Sequence, residues 1–313
     1  MKAILIKEAG GVENLVITEV PIPQISKDEV LIQVKAISIN PVDVKARANE
    51  GVLAWVTNGE RPEILGWDVS GIVVAVGTNV TAFKKDDEVF GMINFMGSGR
   101  TYAEYVAAPA SQIALKPSNV SHEEAAAATL AALTAWQSLV TRVKIKAGDK
   151  ILIHAAAGGV GHFAVQIARY LGAYIIGTSS AVNKDFILSL GADEHIDYNA
   201  HRFEEVVSDV DFVFDALGGE NFHRSLNVLK KGGTLITILA VNETDIDKAK
   251  AKGMEGFFHM VNSNGNDMNE LAKLMQAGKI KAHVSKTFSF DEMGAAHLQV
   301  ESGRTRGKVI VTI

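Results

Sequence analysis

The stretch from Ile151 to Gly172 limits what this chain can become more than any other. Ile151, Leu152 and Ile153 form an apolar run of the kind a buried strand needs. Small residues follow at once, through Ala155, Ala157, Gly158, Gly159, Val160 and Gly161. Then Val160, Phe163, Ala164, Ile167 and Leu171 recur at helical spacing, the stripe of a helix packed on one face. Gly172 supplies the left-handed residue that ends such a helix. The spacing is not GxGxxG but Ala155-x-x-Gly158-x-x-Gly161. A strand, a tight glycine turn and a helix, in that order, turn free backbone N–H groups and a helix N-terminus toward an anion, which suits a phosphate or diphosphate. A tight turn with no ligand is the alternative.

The surrounding chain fits that unit into a larger plan. From about residue 121 onward, strands and helices alternate. Strands are expected at Ile151–His154, Tyr174–Thr178, His195–Tyr198, Phe212–Asp215, Thr234–Leu239 and Phe257–Val261, with helices at about 160–171, 183–190, 202–208, 221–230 and 246–252. That order predicts an α/β fold, a doubly wound parallel sheet. Ser121-His-Glu-Glu124 is a capping box opening the Ala-rich run before it. Residues 1 to about 120 instead show short strands cut by Gly, Pro, Asn and Asp, which predicts a β-rich lobe, a distorted barrel. The tail, with a helix at 267–277 and strands at 287–290 and 308–313, is expected to rejoin that lobe. The expected domains are therefore 1–120, completed by 264–313, and 121–263, with the cleft between them at the carboxyl ends of the parallel strands.

Composition narrows the function. With 313 residues and 47% apolar content, the chain has material for two cored domains. A net charge of −5 gives no basic footprint for nucleic acid. No apolar run is long enough to span a membrane, and the N-terminus looks like a first strand, not a signal peptide. There is no cysteine, so no disulfide, thiolate metal site or thiol nucleophile is available; this fits a cytoplasmic address.

A dinucleotide site must choose between a ribose 2′-hydroxyl and a 2′-phosphate. The former is usually met by Asp or Glu at the end of the second strand. Here that place holds Gly177-Thr178-Ser179-Ser180. Lys184 follows as a point charge, Ser179 and Ser180 offer hydroxyls, and Tyr198 ends the next strand beside the expected adenosine. These residues predict NADPH; helix capping for the serines and a solvated lysine are the bland alternatives. Asp215-Ala216-Leu217-Gly218-Gly219, ending the fourth strand, would let the backbone pass close to the cofactor or simply form a turn.

Asn40-Pro41-Val-Asp43, Gly66-Trp67-Asp68-Val-Ser-Gly71, Ala103-Glu-Tyr105-Val, Leu133-Thr134-Ala-Trp136, the glycine turn and Gly307-Lys308-Val-Ile310 occur in one order along the whole chain. Together they resemble the medium-chain dehydrogenase/reductase superfamily, in its zinc-independent quinone oxidoreductase (zeta-crystallin-like) branch. The resemblance implies a GroES-like β-barrel lobe beside a Rossmann lobe. Zinc-dependent members carry a catalytic Cys within the stretch matching Ser38–Asp43 and a His where Trp67 stands. Asn40 and Trp67 are poor zinc ligands, so no metal is expected.

Without a metal, reduction of an electron-poor acceptor is the easier chemistry: hydride from NADPH to a quinone or an activated α,β-unsaturated carbonyl. By resemblance, Asn40 would hydrogen-bond the acceptor's carbonyl oxygen as charge develops there. Asp43 would orient its loop, Trp67 and Trp55 would wall the pocket, Thr134 would touch the nicotinamide, and part of the Arg304, Arg306, Lys308 cluster would approach the cofactor phosphates. Core packing, a turn-forming Asn and a solvated charged turn are the competing readings. His154 and His162 are expected to be packing residues. Enoyl reduction in lipid or polyketide metabolism, or a non-catalytic NADPH-binding protein, are the alternative functions. An apolar edge strand at Gly256–Val261 would be covered by its own copy, which predicts a homodimer.

Overall fold

The computed structural model describes residues 1–59 and 61–313. The chain divides into two compact units, one of Met1–Leu133 with Asn262–Ile313, the other of Thr134–Val261.

The first unit opens with β1 (Lys2–Ile6), β2 (Val16–Glu19) and β3 (Glu29–Ile39), then α1 (Pro41–Ala48) and α2 (Glu50–Thr57). It continues with β4 (Glu63–Ile64), β5 (Asp68–Val76), β6 (Glu88–Met92), β7 (Tyr105–Pro109), β8 (Ile113–Leu115) and α3 (His122–Ala127), and α4 (Leu130–Trp136) spans the division after Leu133. β1 sits between β2 and β4 in a small antiparallel sheet. The larger sheet is built on β3, which pairs antiparallel with β5 and, along its first half, with β7. Along that half Val30, Ile32 and Val34 are buried and alternate with half-buried residues, as a strand with one core face should. From Ala36 to Asn40 every residue is buried. The strand therefore delivers its last residues into the enclosed interior.

The second unit holds β9 (Lys150–Ile153), α5 (Gly161–Tyr170), β10 (Tyr174–Ser179), α6 (Lys184–Ser189), β11 (Glu194–Asp197) and α7 (Phe203–Val206). β12 (Val210–Asp215), α8 (Glu220–Ser225), β13 (Leu229–Thr237), α9 (Glu243–Ala251) and β14 (Glu255–Phe258) complete it. Its six strands are all parallel, in the order β11-β10-β9-β12-β13-β14. The order reverses at β9, so the crevice beyond the carboxyl ends of β9 and its neighbours is where such a sheet takes a ligand. Leu152, Ile176, Val213, Phe222 and Leu235 are fully buried in the core on one side of it.

The chain then returns to the first unit as α10 (Gly265–Gln276), β15 (Val284–Ser289), α11 (Met293–Glu301) and β16 (Lys308–Thr312). β16 pairs antiparallel with the end of β3, Val309 opposite Ile39.

Three sequence expectations shift. The β-rich first unit also holds two helices that were not read from the sequence, α1 and α2. The division falls after Leu133 and not at Ser121, because α3 packs on β3 and β5 of the barrel. The helix expected at 221–230 ends at Ser225, and Leu229 already begins β13. No helix among the described residues is long and apolar enough to cross a membrane.

Candidate functional site

The turn after β9 is built as its spacing demands. Ala155 adopts φ of 49°, the left-handed region that costs a non-glycine residue about 1–2 kcal/mol. The Gly158 N–H then closes on the Ala155 carbonyl at 2.8 Å, and His162 N–H on the Gly158 carbonyl at 3.1 Å. Gly161 passes so close to the start of the turn that a Cβ there would lie 2.1 Å from the Ala155 carbonyl oxygen and 2.8 Å from the Ala156 Cα. Within this turn the amides of Ala157, Gly159, Val160 and Gly161 have no hydrogen-bond acceptor among the described residues. They stand at the N-terminus of α5, with no side chain capping it. Unpaired N–H groups at a helix start, with no side chain in front, are the donor set a diphosphate needs. The residues present fit a dinucleotide.

The flanking groups are fixed by hydrogen bonds. His154 is buried between Thr178 Oγ1 at 3.1 Å and Ser225 Oγ at 3.0 Å, edge-on to Phe203. Burial pushes its imidazole down to about 4, so it stays neutral. His162 is buried against Phe163 and bonds the Gly158 carbonyl. Both act in packing. Asp215 is fully buried and accepts from the Leu217 and Gly218 amides and from Asn221 Nδ2 at 2.9 Å. That carboxylate shapes the turn in which Gly218 and Gly219 take φ of 69° and 58°, and it leaves Leu217 52% exposed.

At the end of β10, Ser179 is buried and Ser180 half-buried; Lys184 opens α6 with its side chain exposed, and Tyr198 is exposed just past β11. One neighbour was not singled out from the sequence. His195, on β11, places Nε2 3.0 Å from Ser179 Oγ. Its only sequence signal is a polar residue inside a short parallel strand.

The first unit holds a second cluster, buried among apolar residues. Asn40 follows β3, Asp43 lies in the first turn of α1, Asp68 starts β5 and Lys308 starts β16. All four are at most 3% exposed. Asn40 Nδ2 donates to Asp68 Oδ2 at 2.8 Å and, more weakly, to the Ser38 carbonyl at 3.4 Å. Lys308 Nζ donates to Asn40 Oδ1 and to the Ile39 carbonyl. Asp43 Oδ2 accepts the Asn40 backbone N–H at 2.8 Å, and Asp68 Oδ1 accepts the Leu130 N–H at 3.0 Å. Tyr102 Oη bonds His297 Nε2 at 3.0 Å.

Two carboxyls here face one ammonium in a dry interior. Burial, reinforced by Asp68, raises the Asp43 carboxyl to about 7, against the Asn40 N–H, Tyr102 and Lys308. Burial also raises Asp68, opposed by Lys308 and by hydrogen bonds from Asn40, Thr129 and the Leu130 N–H. Burial lowers Lys308, opposed by the same two carboxyls. Desolvation drives each group toward neutrality, and the shared contacts limit how far it goes.

Several sequence expectations change here. Lys308 is 3% exposed and tied to Asn40, not part of a solvated turn, because β16 carries it into the barrel interior. Trp67 is 1% exposed, with Nε1 donating to the Gly97 carbonyl and its ring edge-on to Phe95, packed in the core. Trp55 is 56% exposed. Asp43 Oδ2 accepts the Asn40 N–H at the start of α1, and Thr134 is buried in α4.

Comparison with known proteins adds an independent line. Residues 26–118 match the family described as alcohol dehydrogenase GroES-like domain, and residues 190–311 the family described as zinc-binding dehydrogenase. The 2-methylene-furan-3-one reductase of Solanum lycopersicum is 34% identical, over 99% of this chain and 79% of that protein. The chloroplastic NADPH-dependent alkenal/one oxidoreductase of Arabidopsis thaliana is 33% identical over the same shares, 99% and 79%. The structure of the quinone oxidoreductase from Coxiella burnetii superimposes with a TM-score of 0.94 at 34% identity, covering 100% of this chain and 99% of that one. The zinc in the second family's description finds no fit among the described residues. Cysteine is absent, and among the described residues no three His, Cys, Asp or Glu side chains converge as a metal would require.

Proposed function

The chain belongs to the quinone oxidoreductase branch of the medium-chain dehydrogenase/reductase superfamily, and from that premise we propose that it reduces a quinone or an activated α,β-unsaturated carbonyl with NADPH. The observation that carries this reading is the set of unpaired amides of Ala157, Gly159, Val160 and Gly161 at the start of α5. When bound, a reduced nicotinamide supplies the hydride.

The chain's own residues do the rest. The turn from Ala157 to Gly161 holds the diphosphate through its amides and the dipole of α5. Gly158 keeps the approach free of side chains. Leu217 and Gly218, on the turn shaped by Asp215, flank the cofactor ribose, and Thr134 contacts the nicotinamide. Ser179, Ser180, Lys184 and Tyr198 read the 2′-phosphate, in a place where no carboxylate waits for a 2′-hydroxyl. Asn40 donates to the acceptor's carbonyl oxygen. Its amide is held in one orientation by Asp68 and Lys308, and its second N–H, only loosely engaged by Ser38, is the one left to give.

Purified protein is expected to oxidise NADPH when 1,4-benzoquinone or an enone is added, at a rate that EDTA does not change. No oxidation with either acceptor, or loss of the rate on chelation, would refute the reading. Lys184→Ala should weaken NADPH about tenfold or more while leaving NADH within about twofold, since only NADPH carries the charge the lysine meets. Equal losses for both nucleotides would remove the 2′-phosphate assignment.

We also propose a homodimer and a cytoplasmic address. β14 is an edge strand, paired on one side only with β13, and its Phe257 and Phe258 are half-buried. A strand edge of this kind is covered by pairing with a second copy. Light scattering at micromolar concentration should give twice the chain mass.

A further inference from the structure

We propose that His195 is a further specificity-determining residue for NADPH, one that takes a proton from solvent when the 2′-phosphate binds. The inference rests on the NADPH reading above and deepens it.

The geometry comes from the register of the sheet. β10 and β11 run parallel, with Gly177 opposite His195 and Ser179 opposite Asp197. His195 is the second residue of β11, two before its end, but its side chain reaches Ser179 at the carboxyl end of β10, beside Ser180, and Lys184 of α6 is near enough to act on its charge. Its Nε2 is 3.0 Å from Ser179 Oγ, and that same oxygen is 3.0 Å from the Ser180 carbonyl. A hydroxyl has one hydrogen, and a carbonyl can only accept. Ser179 therefore donates to Ser180 and accepts from His195 Nε2–H. This fixes the neutral tautomer and leaves Nδ1 as the atom that takes a second proton.

The surroundings keep that second proton off in the free protein. Burial of the half-buried ring lowers its affinity for a proton first, and Lys184, from α6, lowers it further. Asp197, on β11 itself, opposes both, and so does a hydrogen bond with the Ser179 backbone on β10. A phosphate monoester brings about −1.5 to −2 charges at neutral pH. Set among Ser179, Ser180 and Lys184, it reverses the local field and favours the imidazolium. NADH brings no such charge, so the proton is taken up with NADPH alone.

Affinities of the full chain for NADPH and NADH, titrated by fluorescence from about pH 8 to about pH 6.5, test this. The preference for NADPH should rise about three- to tenfold as pH falls. The 2′-phosphate's own titration works in the opposite direction, because it loses charge toward low pH. His195→Gln keeps a donor for Ser179 but cannot become a cation. It should lower the preference about tenfold near pH 6.5, flatten its pH dependence and leave NADH binding unchanged. Calorimetry in two buffers should show about one proton fewer taken up by His195→Gln on binding NADPH. If His195→Gln keeps both the preference and the slope while Lys184→Ala loses the preference, the histidine's role is overturned and the NADPH reading stands. If the unaltered protein shows no preference for NADPH, the NADPH reading falls and this assignment falls with it.

Discussion

Lys308→Met should destabilise the protein by about 3–5 kcal/mol near pH 8, the largest effect expected of a single substitution in the first unit. Methionine keeps the length and the apolar stem, so packing is largely preserved. What disappears is the ammonium that faces Asp43 and Asp68 and donates to Asn40 Oδ1. Two buried carboxyls then remain with no cation among their contacts. The loss should shrink as pH falls. Both carboxyls titrate higher in the folded chain than in the unfolded one, so the folded state binds the extra protons. Stability from this source is therefore present at low pH and lost as pH rises through the folded value, about 7 for Asp43. Urea unfolding at pH 5 and pH 8 measures both effects. Adding Asp68→Asn to Lys308→Met should recover part of the loss, because it removes one of the two unpaired carboxyls. A single-variant loss below about 1 kcal/mol at pH 8 would mean that the cluster is not held by charge.

Gly161→Ala should abolish measurable dinucleotide binding, weakening it by about a hundredfold or more, and cost about 1–3 kcal/mol of stability through overpacking. The added Cβ would sit 2.1 Å from the Ala155 carbonyl oxygen and 2.8 Å from the Ala156 Cα. Both are backbone atoms in the turn after β9, and neither swings away as a flexible side chain would. Relief has to come from separating α5 from the turn, which moves the unpaired amides out of register with one another. Fluorescence titration with NADPH and a thermal melt read the two effects separately. Ala157→Gly, in the same turn, adds no atom and should change binding by no more than about threefold. An alanine at 161 that binds NADPH like the unaltered chain would show that the turn is not the cradle.

Much of the second unit was legible because each of its elements carries its own local signal. The apolar run at 151–153, the small residues to Gly161 and the helical stripe to Leu171 specify strand, turn and helix without reference to anything distant. Gly172 ends that helix at φ of 83°, and in the first unit Ser121 with Glu124 forms the capping box of α3, both as their sequence predicts. The missed helix α1 also had a local signal. Asn40, Pro41 and Asp43 are an N-cap, a first-turn proline and an acid at the third position. Reading Asn40-Pro41 as turn punctuation alone hid it.

The buried cluster had no such signal. Asn40, Asp43, Asp68 and Lys308 are separated by as much as 268 residues, and nothing near Lys308 in sequence marks it as an interior residue. Its neighbours Arg304 and Arg306 suggest a solvated turn, yet β16 pairs with β3 and carries Lys308 inside. His195 was hidden in the same way, because its partner Ser179 lies on a neighbouring strand. The sequence by itself determined the order of elements in the second unit, the glycine turn and the absence of a carboxylate where a 2′-hydroxyl would be read, since backbone conformation and short-range spacing depend on adjacent residues. Only the tertiary structure decided which polar side chains share the interior and in what charge state, because burial and pairing are properties of strands that meet in space.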